Sequence, residues 1–153
     1  MAGRPKKNLP KKARKVVEAQ AARHKRTRTA HSQERAEDYV EVIADLIQEL
    51  GGARTVDIAQ RLGVTHVTVT KTISRFIESG LVKTEPYRAI FLTKKGKLLA
   101  NKCKLRHEAV ASFLKSLGIS DEIAQVDAEG IEHHVSEETL QAFVNYTAQQ
   151  KPN

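Results

Sequence analysis

The chain has 153 residues, of which 40% are apolar and 29% charged, and a formal net charge of +8. That leaves room for one domain or two small ones, and no stretch approaches the roughly 20 apolar residues of a membrane-spanning helix. The lone Cys103 excludes an internal disulfide. The N-terminus is basic without an apolar segment behind it, so a soluble protein of the reducing cytoplasm is expected, with no membrane partner.

Charge is unevenly spread. Residues 1–35 carry 12 Lys or Arg against 2 acids, while 36–153 carry 14 against 16. Basic arms of this kind follow nucleic-acid phosphates, or act only as solubilising extensions. Residues 1–33 are read as such an arm and expected to be flexible, with helix-forming composition from Lys11 to Lys25, after Pro5 and Pro10.

The body then reads as helices with a hairpin among them. A first helix is expected from about Ser32 to Leu50, with Tyr39, Val42, Ile43, Leu46, Ile47 and Leu50 on one apolar stripe, stopped by Gly51 and Gly52. A short helix follows over Thr55 to Leu62 and ends at Gly63. Thr65 is a natural N-cap for a longer helix from His66 to Ser79, whose Val69, Ile73, Phe76 and Ile77 face inward. Two strands, Leu81 to Lys83 and Ala89 to Thr93, flank Pro86-Tyr87-Arg88. A helix-turn-helix followed directly by a hairpin is a winged helix, here spanning 34–93. Three further helices occupy 94–150, so the fold class is mostly α.

In a winged helix the second helix of the motif enters the major groove of double-stranded DNA, its N-terminal residues nearest the base edges. Thr65, His66, Thr68 and Thr72 offer hydroxyl or imidazole groups there, and Lys71 offers a cation for phosphate. Val67 and the threonine methyls suit a thymine methyl. Arg88 at the wing tip is placed to reach a phosphate or the minor groove. Read blandly, all of these are ordinary solvent-facing residues.

A second constellation lies in the run Asp127-Ala128-Glu129-Gly130-Ile131-Glu132-His133-His134. On a helix, Glu129, Glu132 and His133 share one face. His107 sits on the preceding helix beside Glu108, and Asp38 and Glu41 are spaced i, i+3 on the first helix. Gathering carboxylates is costly without a cation, and oxygen-rich sites with one or two imidazoles suit Mn²⁺ and related divalent ions. Each group alone also fits a solvated helix face.

From Glu34 to Asn145 the chain resembles the diphtheria-toxin-repressor family of metal-dependent regulators, in its manganese branch. The resemblance is carried by Glu37-Asp38-Tyr39-Val40-Glu41, the helix-turn-helix and wing, Arg106-His107-Glu108 and Glu129-Gly130-Ile131-Glu132-His133-His134. It implies an N-terminal winged helix-turn-helix joined to a C-terminal helical metal-binding and dimerisation domain. By position it implies Asp38, Glu41, His107, Glu129, Glu132 and His133 as ligands of two Mn(II) ions per subunit, with Fe(II) the alternative. In iron-sensing relatives the positions of Asp38 and Glu129 resemble Met and Cys, so two carboxylates here favour the harder ion. The family pattern places no ligand at Cys103, which is read as packing, and His134 is read as structural. Larger iron-type members carry a further barrel domain, for which this chain is expected to be too short.

The resemblance further implies a homodimer on a palindromic operator, repressing manganese-transport promoters. Its core would draw on Leu98, Leu99, Leu105, Val110, Phe113 and Leu114, and on Leu117, Ile119, Ile123, Ile131, Leu140, Phe143 and Val144. Two other classes compete. A metal-independent winged-helix repressor answering to an organic ligand sits poorly with 5% aromatic residues. A dinuclear metalloenzyme would need two Glu-x-x-His motifs; Glu129 and His133 are four apart, so no enzyme is expected.

Overall fold

The computed structural model describes residues 10–150, excluding the side chains of Lys11, Lys12, Arg26, Arg28 and Arg88. Helix α1 runs Lys11–Leu50. The helix expected to begin at Ser32 thus starts about six turns earlier. The cause is local: no glycine or proline occurs between Pro10 and Gly51, and the Pro10 carbonyl accepts the first helical bond from the Arg14 amide at 2.9 Å. The chain divides into two compact units between Arg35 and Ala36. In the first, every side chain with a described position is exposed except the half-buried Ala13 and Glu34.

From Ala36 onward the order is the rest of α1, then α2 (Thr55–Leu62), α3 (His66–Glu78), β1 (Val82–Glu85), β2 (Ala89–Leu92), α4 (Lys94–Ser116), α5 (Asp121–Ile131) and α6 (Glu137–Gln149). Gly63 ends α2 in the left-handed conformation, φ 64°, donating to the Ala59 and Gln60 carbonyls. Thr65 caps α3 by accepting from the Thr68 amide. Together these build the helix-turn-helix. β1 and β2 pair antiparallel, Val82 opposite Leu92 and Glu85 opposite Ala89, and Ala53 adds a bridge to Ile90. The hairpin turns through a 3₁₀ segment, Pro86–Arg88.

One core joins Tyr39, Val40, Ile43 and Leu46 of α1 to Ile58, Val69, Ile73, Val82 and Ile90, all buried. Tyr39 meets Phe76 edge to face, with centroids 5.5 Å apart. Gly96 lies in the first turn of α4 directly against the Leu81 carbonyl, where any Cβ would collide. That contact seats α4 on the wing.

A second core gathers Val110, Ala111 and Ala128 with Leu114, Ile131, Leu140 and Phe143, and Phe113 stacks on Phe143 at 4.0 Å. Several residues expected in a dimer core therefore pack within the chain itself, and Leu99 packs on the first core. Leu98, Leu105, Leu117, Ile119, Ile123 and Val144 remain exposed. Among the described residues, no helix is long and apolar enough to cross a membrane.

Candidate metal centre and nucleic-acid interface

All six carboxylate and imidazole residues singled out in the sequence come to one place, where α1 meets α4 and the end of α5. α5 stops at Ile131, so Glu132 and His133 sit in the turn beyond it rather than on the helix. Glu132 keeps right-handed helical angles, which preserves the expected common direction with Glu129. Arg106 of α4 pins this turn. Its guanidinium donates to the Glu132 carbonyl at 2.6 and 3.1 Å and to the Val135 carbonyl at 2.7 Å. A cation at the C-terminal end of α5 satisfies carbonyls that the helix itself leaves open.

Glu132 is the hinge of the cluster. It is 1% exposed, and its two oxygens face different imidazoles. Oε2 lies 2.7 Å from His107 Nδ1, and Oε1 lies 3.9 Å from His133 Nε2. Asp38 Oδ1 stands 3.2 Å from that same Nε2, and Glu129 Oε1 stands 3.6 Å from His107 Nδ1. Glu41 completes the group by its field. Burial, then the charges of Glu132 and Glu129, raise its carboxyl from 4.5 to about 7, against the opposing pull of His133 and His107.

Each imidazole is held from behind. His133 Nδ1 is 2.8 Å from Glu37 Oε2, and His107 Nε2 is 2.7 Å from Gln125 Oε1. Partners of this kind fix the tautomer of a metal-binding histidine and aim its other nitrogen. Neither Glu37 nor Gln125 was singled out from sequence for this role. Burial lowers the proton affinity of both imidazoles, but the hydrogen bonds and nearby carboxylates outweigh it and leave both raised. Burial likewise raises Glu132, with the two imidazoles opposing.

Among the described residues, no three donors stand in ligand geometry; the imidazoles close directly on the carboxylates instead. Glu132 Oε1 nonetheless fits a cation. It is buried and finds no hydrogen-bond partner, a costly state for a carboxylate oxygen. Its neighbour His133 Nε2, at 3.9 Å, is the same nitrogen that Asp38 Oδ1 approaches. A cavity of about 490 Å³ opens beside the cluster, lined by Glu41, His107, Gln125 and Glu129 among others. The donor set is oxygen-rich, with two imidazoles and no thiolate. Cys103 is buried, and burial with nearby Glu41, Glu37 and Glu132 pushes its thiol up to about 12, so it packs as a neutral group. His134 is exposed.

On α3 the expected outward face needs one correction. His66, Thr68 and Lys71 are exposed, but Thr72 is 1% exposed. It lies one turn from Val69, on the stripe shared with Ile73, and accepts from Arg75 at 3.4 Å. Thr65 is exposed, yet its hydroxyl is engaged with the Thr68 amide at 3.2 Å and the Thr68 hydroxyl at 2.9 Å. Val67 stands out, 62% exposed. Thr70 and Ser74 share the exposed face, their hydroxyls bonded back to the His66 and Thr70 carbonyls. Arg88 closes the wing turn, with its side chain outside the described positions. Beside it Tyr87 is 99% exposed at φ 69°, a left-handed residue that nothing in the sequence announced.

Comparison with known proteins agrees with this layout. Residues 31–90 match the model of the iron dependent repressor N-terminal DNA binding domain. Residues 93–151 match the iron dependent repressor metal binding and dimerisation domain. A transcriptional regulator MntR of Escherichia coli O6:H1 is 50% identical over 131 residues, covering 86% of this chain and 84% of its own. Among solved structures, IdeR of T. acidophilum superposes with a TM-score of 0.66 at 30% identity, over 73% of this chain. A manganese-dependent transcriptional repressor in complex with manganese gives 0.65 at 30%. This chain spans about half the length of those two, 53% and 52%. With DNA-binding and metal-binding halves both matched, the chain belongs to the iron-dependent-repressor family of transcriptional regulators, the diphtheria-toxin-repressor family.

Proposed function

We propose that the chain is a manganese-responsive, DNA-binding transcriptional repressor, acting in the cytoplasm as a homodimer at palindromic operators of manganese-transport promoters. The observation that carries this reading is the division of Glu132. One buried carboxylate presents one oxygen to His107 and the other, unpartnered, to His133. On this reading two cations per subunit would be held beside Glu132: His133, Asp38 and Glu132 would hold one, and His107, Glu129 and Glu132 the other, with Glu41 as a further carboxylate for the pair.

A bound divalent cation supplies the positive charge that lets these carboxylates stay ionised together. The residues do the rest. Asp38 and Glu41 sit on α1, which packs in the reader-domain core, whereas His107 is on α4, Glu129 on α5, and Glu132 and His133 in the turn after α5. Drawing the two sets together fixes the reader domain against the dimerisation domain. Two-fold symmetry then presents two α3 helices at the spacing of successive major grooves. There His66, Val67 and Thr68 meet base edges, Lys71 and Arg88 meet phosphates, and Thr65 keeps the helix start in place. The hard donor set supports Mn²⁺ over softer ions, and a solved structure 30% identical to this chain is a manganese-dependent transcriptional repressor in complex with manganese.

The test is an electrophoretic mobility titration on a manganese-transporter promoter, comparing Mn²⁺, Fe²⁺, Zn²⁺ and chelator. Mn²⁺ should tighten binding by about 5- to 150-fold, the range that a coupling of about 1–3 kcal/mol provides. Equal affinity in every condition would overturn the metal-responsive reading.

A further inference from the structure

Among the described residues, none before Arg35 belongs to either core, and the family's DNA-binding match begins at residue 31. We propose that the first part of α1, Lys11 to Arg28, is a second DNA-binding element that grips the phosphate backbone of duplex flanking the operator. The inference rests on the DNA-binding function proposed above.

Three observations carry it. The first is charge: Lys11 to Arg28 holds eight Lys or Arg and one acid, Glu18. The second is form. The segment is helical, so its 18 residues span about 27 Å, an average of one cation per about 3.4 Å, gathered in two groups at residues 11–15 and 23–28. Each DNA strand carries one phosphate per about 3.4 Å of axis. The matching density makes a duplex the complementary occupant. The third is burial. Every side chain of the segment with a described position is exposed or, at Ala13, half-buried, so the helix has no packed apolar face of its own to serve. Most helical stability in proteins comes from such packing; a polyanion would supply it here. An acidic membrane surface also attracts basic helices, but this one is covalently joined to a DNA reader. Once that domain is docked, flanking phosphates are at high local concentration.

The experiment uses the full chain loaded with Mn²⁺ and a variant carrying Arg14→Gln, Lys15→Gln, Arg23→Gln and Lys25→Gln. Fluorescence anisotropy follows binding across a salt series to a promoter duplex in two lengths. One is trimmed to the reader footprint. The other is extended by about 15 base pairs on each side, more than the roughly 8 that 27 Å covers. On the long duplex, the slope of log K against log salt should be shallower in the variant by up to about 7.2 for the two arms of a dimer, or about 0.9 for each lost phosphate contact. The trimmed duplex should show little difference. The drop should recur on an unrelated duplex of the long length, since phosphates carry no sequence information. A second variant exchanging Lys for Arg and Arg for Lys at the same positions should keep the unaltered slope, which separates charge from helix damage. Equal slopes for unaltered and Gln-substituted chains on the long duplex would overturn the proposal. So would a variant that loses only its binding to phosphatidylserine vesicles. Failure of the DNA-binding function would show differently, as no promoter binding by the unaltered chain.

Discussion

Glu41 and its neighbours set a pH dependence whose sign follows from the direction of the shifts. The Glu41 carboxyl is raised from 4.5 to about 7, so the folded metal-free chain holds that proton more tightly than the unfolded chain does. Its contribution to stability is fully present below about pH 4.5 and is lost as pH climbs through 7. His107 and His133, both raised above 6.5, act in the same sense: their contribution is present below 6.5 and lost as pH rises further. In chelator, the melting temperature should therefore fall between about pH 5 and about pH 8, and Glu41→Gln should flatten part of that fall. Cation binding must displace the same protons, so Mn²⁺ affinity should rise across this window. A metal-free melting temperature independent of pH would contradict the account. Glu37 gives a sharper case, because it holds His133 Nδ1 from behind at 2.8 Å. Glu37→Gln should weaken Mn²⁺ binding by about 10- to 100-fold with little change in fold, the usual cost of losing such a partner. Calorimetric titration reads it directly, and unchanged affinity would make the contact merely structural.

At the scale of elements, α3 has two faces with opposite tolerances. Thr72 is buried beside Val69 and Ile73, so Thr72→Val, which removes no group from the exposed face, should leave operator affinity of the folded protein within about two-fold. Lys71 is exposed on the other face. Lys71→Ala should weaken binding to all sequences alike and lower the salt slope by about 1 per subunit, about 2 for the dimer. If Thr72→Val instead abolished operator recognition, the inward assignment would be wrong. The signal was in the sequence, since Thr72 lies at i+3 from Val69 and i−1 from Ile73; its hydroxyl, weighed as a polar group, hid the stripe. Helix-turn-helix, wing and three C-terminal helices were legible because Gly63, Thr65 and Gly80 punctuate apolar runs of clear period. The start of α1 was not, because helical composition without an apolar face gives no period to read. The carboxylate and imidazole cluster was legible as donor types at helical spacing. Glu37 and Gln125 were not, because a buried hydrogen bond across 96 residues, from Glu37 to His133, leaves no local pattern.

For the whole molecule, linkage makes the strongest demand. If Mn²⁺ tightens operator binding by a given factor, operator DNA must tighten Mn²⁺ binding by that same factor. The structure supplies a route. Asp38 and Glu41 are on α1, whose Tyr39, Val40, Ile43 and Leu46 pack in one core with Val69 and Ile73 of α3, while His107 and Glu132 belong to the other half of the unit. Holding α3 in the groove thereby biases where Asp38 and Glu41 stand relative to Glu132 and His133. Calorimetric Mn²⁺ titration of the dimer, alone, with operator duplex and with a duplex of unrelated sequence, should show tightening by about 5- to 150-fold with operator. The unrelated duplex should produce less, because fewer contacts depend on α3 lying in register. The factor found should equal the one from the promoter titration under the same salt and protein concentration. An operator that left Mn²⁺ affinity unchanged would mean that the Glu132 centre and α3 are not coupled, and that metal acts on this chain by some route other than fixing the reader domain.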